Sequence, residues 1–117
     1  MSFWRKKVVE FALDHETRKH MDEQLAWIAR EPANGKPYYH LAQLYRVSNR
    51  PEEALGLLLE AVRLDPALGS AHAALAEMYS VTADYSAAWR HARAAERHGE
   101  SSAVELLTRH RIPEPAL

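Results

Sequence analysis

The sequence predicts an all-α chain built from antiparallel helix pairs. Three observations carry that prediction: an internal period of 34 residues, apolar side chains spaced three and four apart, and turn and capping residues between those stripes. Laying residues 35–68 over 69–102 pairs Gly35 with Gly69, Leu41 with Leu75, Ala42 with Ala76 and Tyr45 with Tyr79. The same shift pairs Val47 with Val81, Ala54 with Ala88 and Ala61 with Ala95. A unit of this length holds two helices and their turns, and neither helix can bury its apolar face without a neighbour.

Within the first unit, Leu41, Leu44 and Tyr45 form one apolar stripe, and Ala54, Leu55, Leu58, Ala61 and Val62 form another. Between them, Asn49 supplies a cap, Pro51 fits the first turn and Glu52 can reach back to the cap, so the second helix is expected to start near Arg50. Pro66 restricts Asp65 and ends that helix. In the second unit, Leu75, Met78 and Tyr79 give the first stripe, and Asp84 is the expected cap of the second helix. Ser102 and Glu105 have the spacing of a capping box for a last helix over 102–111. Pro113 and Pro115 then leave 113–117 as a flexible tail.

Composition sets the outer bounds. With 117 residues, 47% of them hydrophobic and 26% charged, the chain matches one globular domain, placed over 1–112. Fifteen Lys and Arg against sixteen Asp and Glu leave a formal charge of -1, which argues against nucleic acid as a partner. No cysteine is present, so disulfides, thiolate metal sites and cysteine nucleophiles are excluded. The longest stretch free of Asp, Glu, Lys and Arg, from Pro66 to Ala76, falls short of the roughly 20 residues of a transmembrane segment. Glu10 interrupts the apolar residues near the start, which does not suit a secretory leader. These features together point to a cytoplasmic protein.

Tyr38, Leu41, Ala42, Tyr45, Ala54, Leu58, Ala61 and Pro66 fill the eight signature positions of a known repeat in order, and the chain resembles the tetratricopeptide repeat family. The second unit keeps Leu75, Ala76, Tyr79, Ala88 and Ala95 but has His72, Ala92 and Glu100 at the other three positions. The resemblance implies a right-handed α-solenoid of about seven helices. Repeats cover 35–68 and 69–102, a solvating helix covers 102–111, and a divergent helix pair covers 1–34. In that pair, where Trp4, Phe11 and Pro32 fit the frame, Phe3, Trp4, Val8 and Phe11 are expected to dock on Leu25, Trp27 and Ile28 of the following helix.

No pattern of reactive residues accompanies the repeat. His15 and His20 flank a sequence close to a zinc-protease motif, but their spacing of five sets the rings about 140° apart on a helix. His91 and His98 share a face but sit about 10 Å apart along the axis. The four glycines are isolated, so no phosphate-binding loop exists, and paired carboxylates such as Glu52 and Glu53 suit a helix start. The chain is therefore expected to be no enzyme and to take no cofactor or metal.

In the family it resembles, the first helices of successive units line a concave groove that holds peptides or extended segments of partner proteins. Carried onto this sequence, the groove positions are Lys36, Tyr39, His40, Gln43 and Arg46 from the first unit, and Ser70, Ala73, Glu77 and Ser80 from the second, with Arg5 and Val9 extending them. Tyr39 gives an amphipathic platform, Gln43 bonds an amide in both senses, and Lys36 with Arg46 faces a carboxylate, so the expected ligand is extended and mildly acidic. Tyr39, Gln43 and Ala74 stand where chaperone-tail-binding members carry their Lys and Asn clamp, so those tails are not expected as ligands. The other class of function is structural self-assembly: a groove filled by a second copy or a tail, a homo-oligomer. Leu57 and Leu59, which flank Leu58, offer extra apolar surface for it. Arg90, Arg93 and Arg97 form a separate basic stripe, expected to be solvated, with docking of an acidic partner or a membrane surface as the other reading.

Overall fold

A computed structural model of the chain describes residues 2–116, with side chains from Asp14 to Ala116. Six helices follow one another: α1 (Ser2–Arg30), α2 (Gly35–Val47), α3 (Pro51–Leu64), α4 (Gly69–Val81), α5 (Tyr85–Arg97) and α6 (Ser102–Arg109). The described residues form no strand, and none of their helices is long and apolar enough to cross a membrane.

The count is six helices rather than the expected seven because α1 is a single helix where a pair was expected. The reason is local. No glycine or proline occurs before Pro32, so no residue forces a turn, and helical pairs such as Glu16, His20 and Glu23 (3.5 and 3.3 Å) run along the surface. Residues 3–11 and 25–28 therefore lie about 20 Å or more apart along one axis, with no turn between them to make a pair. The side chains of Phe3, Trp4, Val8 and Phe11 lie outside the described residues, as do those of Arg5 and Val9.

From Gly35 onward the helices keep the 34-residue offset, since α2 and α4 both begin and end that distance apart. Gly35 and Gly69 do the same job. A methyl group on Gly35 would stand 2.7 Å from the Ala61 carbonyl oxygen, and one on Gly69 would stand 3.2 Å from that of His98, so each first helix meets the end of the next helix at backbone distance.

The turns between paired helices also repeat, though not through the residues expected to cap them. Asn49 has φ 61° and Ala83 has φ 63°, and the following amides, Arg50 and Asp84, donate to Tyr45 and Tyr79 carbonyls at 2.9 Å. These are left-handed helix stops. Asn49 thus closes α2 and does not cap α3, whose N-cap is Arg50 without a side-chain bond. Asp84 does cap α5, its Oδ1 accepting from the Ala87 amide at 3.2 Å. The expected capping box does not form: Ser101, not Ser102, is the N-cap of α6 and makes no side-chain bond to a helix amide, its Oγ donating to the Glu105 carboxylate at 3.2 Å. An alanine held left-handed is strained where glycine is not, so Ala83→Gly is expected to stabilise the protein by about 1 kcal/mol, read as a higher melting temperature.

The core is two clusters sharing α4. Ala42, Ala54, Leu58, Ala61, Ala71, Ala74 and Leu75 bind α2, α3 and α4, while Ala73, Ala76, Ala88, Trp89, Ala92, Ala95, Ala103 and Leu107 bind α4, α5 and α6. Residues 71–76 are all buried because α4 has neighbours on two sides. Alanines at the contacts let the helix axes approach closely, and a larger side chain there would push them apart.

Candidate functional site

The first helices of the two repeated units meet through polar side chains. Arg46 of α2 donates from Nη2 to Glu77 Oε2 of α4 at 3.2 Å and from Nη1 to Gln43 Oε1 at 3.1 Å. All three side chains are half-buried, and a cleft of about 420 Å³ opens beside Gln43, Arg46 and Val47. Each helix here offers a long side chain to bridge its neighbour, which keeps the backbones apart.

The remaining candidates divide by what they already touch. Lys36 is exposed on the first turn of α2, its backbone amide held by the Asn34 cap at 3.0 Å. His40 is exposed at the seam between α1 and α2, with Trp27 of α1 stacked at 6.3 Å, while Tyr39, edge-on to His40 at 5.2 Å, packs against the cluster of α2, α3 and α4. Ser70 is half-buried at the start of α4. Ser80 donates to the Glu77 carbonyl at 2.7 Å. Ala73 is only 6% exposed and belongs to the cluster closed by α6, so it offers little surface. Arg46 does not stand ready for a ligand carboxylate beside Lys36, because Glu77 already holds it.

A titratable pair, one ring buried and one half-buried, escaped the sequence reading. His72 of α4 and His91 of α5 place their Nδ1 atoms 3.0 Å apart, and His72 Nε2 lies 2.9 Å from the Pro66 carbonyl oxygen. A carbonyl only accepts, so His72 carries its proton on Nε2, and His91 donates from Nδ1 to the bare His72 Nδ1. The two ring centroids lie 5.3 Å apart, and Tyr79 stacks on His91 at 5.7 Å. Burial, then the neighbouring His72 and Arg90, pushes the His91 pKa down to about 4, so this ring is neutral near pH 7. His72 occupies the place that Tyr38 has one period earlier, and a polar ring at that apolar position was the available signal. The pair is a pair only: among the described residues no three His, Cys, Asp or Glu gather to hold a metal ion.

Two side chains of α5 bond to the tail. Trp89 Nε1 donates to the Ile112 carbonyl at 3.1 Å, and Arg93 grips Glu114 with two bonds of 2.9 and 2.6 Å while also reaching Glu96 at 3.0 Å. The Arg93 guanidinium lies 5.2 Å from the Trp89 ring centroid. Its hydrogen bonds hold the Glu114 carboxyl below its ordinary pKa. The stripe expected to be solvated is therefore divided: Arg93 is paired, whereas Arg90 and Arg97 make no ion pair among the described residues. Arg90, Arg93 and Arg97 line a cleft of about 800 Å³ along the helix.

Exposed apolar side chains also follow the period. Val47 and Val81, one period apart at the ends of α2 and α4, are 76% and 85% exposed. Leu59 is exposed while Leu57 is half-buried. Comparison with protein-family models gave no match to this chain, and a comparison with curated proteins gave none either.

Proposed function

We propose that the protein is a non-enzymatic binding module of the tetratricopeptide-repeat kind, in which the neighbouring faces of α2 and α4 hold an extended segment of a partner protein. The observation that carries this reading is the Arg46–Glu77 bridge beside the open cleft at Gln43 and Val47. It sets equivalent faces of the two repeated helices side by side, with polar groups to bond a peptide backbone and Val47 to receive an apolar side chain. In this reading the hairpins stack as a right-handed solenoid, α6 covers the last of them, and the module works in the cytoplasm.

The ligand's carboxylate competes with Glu77 for Arg46, while Lys36 offers a second cation. Preference for acidic segments is then modest, and Glu77→Gln is expected to strengthen it. The test is photo-crosslinking in a native lysate. A crosslinker at Tyr39 or Gln43 is expected to capture a defined polypeptide that Lys36→Glu with Arg46→Glu abolishes. Capture that survives those two substitutions would remove the reading.

Val47, Val81 and Leu59, all exposed, favour self-assembly as the second reading. Light scattering separates the two: a dimer that persists on dilution supports assembly, and a monomer supports partner binding.

A further inference from the structure

The cleft along α5 has the features of a second binding site, on a different helix from the surface between α2 and α4. Three guanidiniums, those of Arg90, Arg93 and Arg97, line it against two carboxylates, Glu96 and Glu114, which leaves a net positive charge. One of those carboxylates arrives on the chain's own tail. The tail binds as a peptide ligand would: a backbone carbonyl, that of Ile112, accepts from Trp89 Nε1, and a side-chain carboxylate, that of Glu114, is taken bidentately by Arg93.

The tail does not complete the site. Pro113, Glu114, Pro115 and Ala116 all stay exposed, about 800 Å³ of cleft remains open beside them, and Arg90 and Arg97 make no ion pair among the described residues. They stand three residues before and four residues after Arg93, so they share its side of the helix. The prolines flanking Glu114 favour an extended backbone, a shape that costs little entropy to fix.

From this we infer that the outer cleft of α5 is a docking site for an extended, acidic, proline-containing segment of a partner protein, and that the chain's own Pro113–Ala116 segment occupies it as an internal competitor. The partner segment carries several carboxylates and so reaches Arg90 and Arg97, which the single Glu114 does not pair. Displacing the tail requires only that the incoming segment outbid one exposed ion pair and one indole hydrogen bond. The site is then kept closed to weakly acidic segments and opens to strongly acidic ones.

The probe is a fluorescein-labelled peptide, Ile-Pro-Glu-Pro-Glu-Pro-Glu, titrated with the full-length protein and followed by anisotropy. Glu114→Ala removes the competing carboxylate and is expected to tighten binding about three- to five-fold, the scale of an exposed ion pair. Arg90→Ala with Arg97→Ala is expected to weaken it about ten-fold, with the melting temperature unchanged because both side chains are exposed. Lys19→Glu, at an exposed residue of α1 that belongs to neither surface, is expected to leave it unaltered. No binding by the Glu114→Ala protein at about 1 mM would overturn the proposal, that concentration being the floor of useful affinity. Equal binding by the double arginine variant would also overturn it, as would loss with Lys19→Glu, or binding to phosphatidylserine vesicles through Arg90 and Arg97 with no binding of the peptide.

Discussion

Leu75→Ala is expected to lose about 2 to 5 kcal/mol of stability, the largest single effect of a conservative change in this chain. Leu75 is fully buried and lies in the cluster shared by α2, α3 and α4. Its neighbours there include Ala42, Ala54, Ala61, Ala71 and Ala74, short side chains with no rotamers to swing into the gap. The cavity therefore stays largely open, and the cost lies toward the upper part of the range. For a domain of this size the melting temperature falls by roughly 15 to 20 °C. Leu59→Ala is the control, because Leu59 is exposed on α3 and its truncation is expected to change stability by less than about 0.5 kcal/mol. Thermal denaturation of both variants checks the assignment of inner and outer faces, and a Leu59 variant as damaged as the Leu75 variant would contradict it.

Acid is expected to loosen the contact between α4 and α5 well before it titrates the surface carboxylates. His91 takes up a proton near the ordinary value of 6.5 in the unfolded chain but only near 4 in the folded one. A depressed histidine pKa means that the fold holds the neutral ring. The stability it contributes is complete above pH 6.5 and is lost as the pH falls toward 4. The full shift corresponds to about 3 kcal/mol, and solvent access to the half-buried ring reduces that to about 1 to 2 kcal/mol. The groups facing His91 are His72 and Tyr79 of α4 and Arg90 of its own helix, two of them able to carry positive charge, so none offsets the added proton. Urea denaturation at stepped pH measures the loss. His91→Phe is expected to flatten the profile between pH 6.5 and 4, while an unchanged profile would show that the pair is not the group titrating.

The parts of this architecture written in local chemistry were legible in the sequence. The 34-residue offset of Gly35 and Gly69, the apolar stripes, the Asp84 cap and the helix stop at Asp65 all follow from residues close in the chain. The failures share a different origin. Asn49 satisfies both a cap and a left-handed stop by composition, and only the amide of Arg50 reaching Tyr45 decides between them. A helix pair in 1–34 requires a turn well before Pro32, and no glycine or proline stands there to make one.

The candidate site was less legible than the fold. Position in the period places Lys36, Gln43, Arg46 and Glu77 on matching faces, yet it carries no information on which charges are already spent on one another. The Arg46–Glu77 bridge joins residues 31 apart in sequence, and the Arg93–Glu114 clasp joins residues 21 apart. The contact between His72 and His91 likewise depends on how closely alanine-lined helices approach.

The central claim is that the adjoining faces of α2 and α4 form the surface that receives a partner. Its most direct test is a comparison of photo-crosslinkers at Tyr39 and at Glu60, which lies on α3 and pairs with Arg63 at the surface. The account predicts a discrete polypeptide adduct from position 39 and none from position 60. The same adduct from both positions, or from position 60 alone, would contradict it.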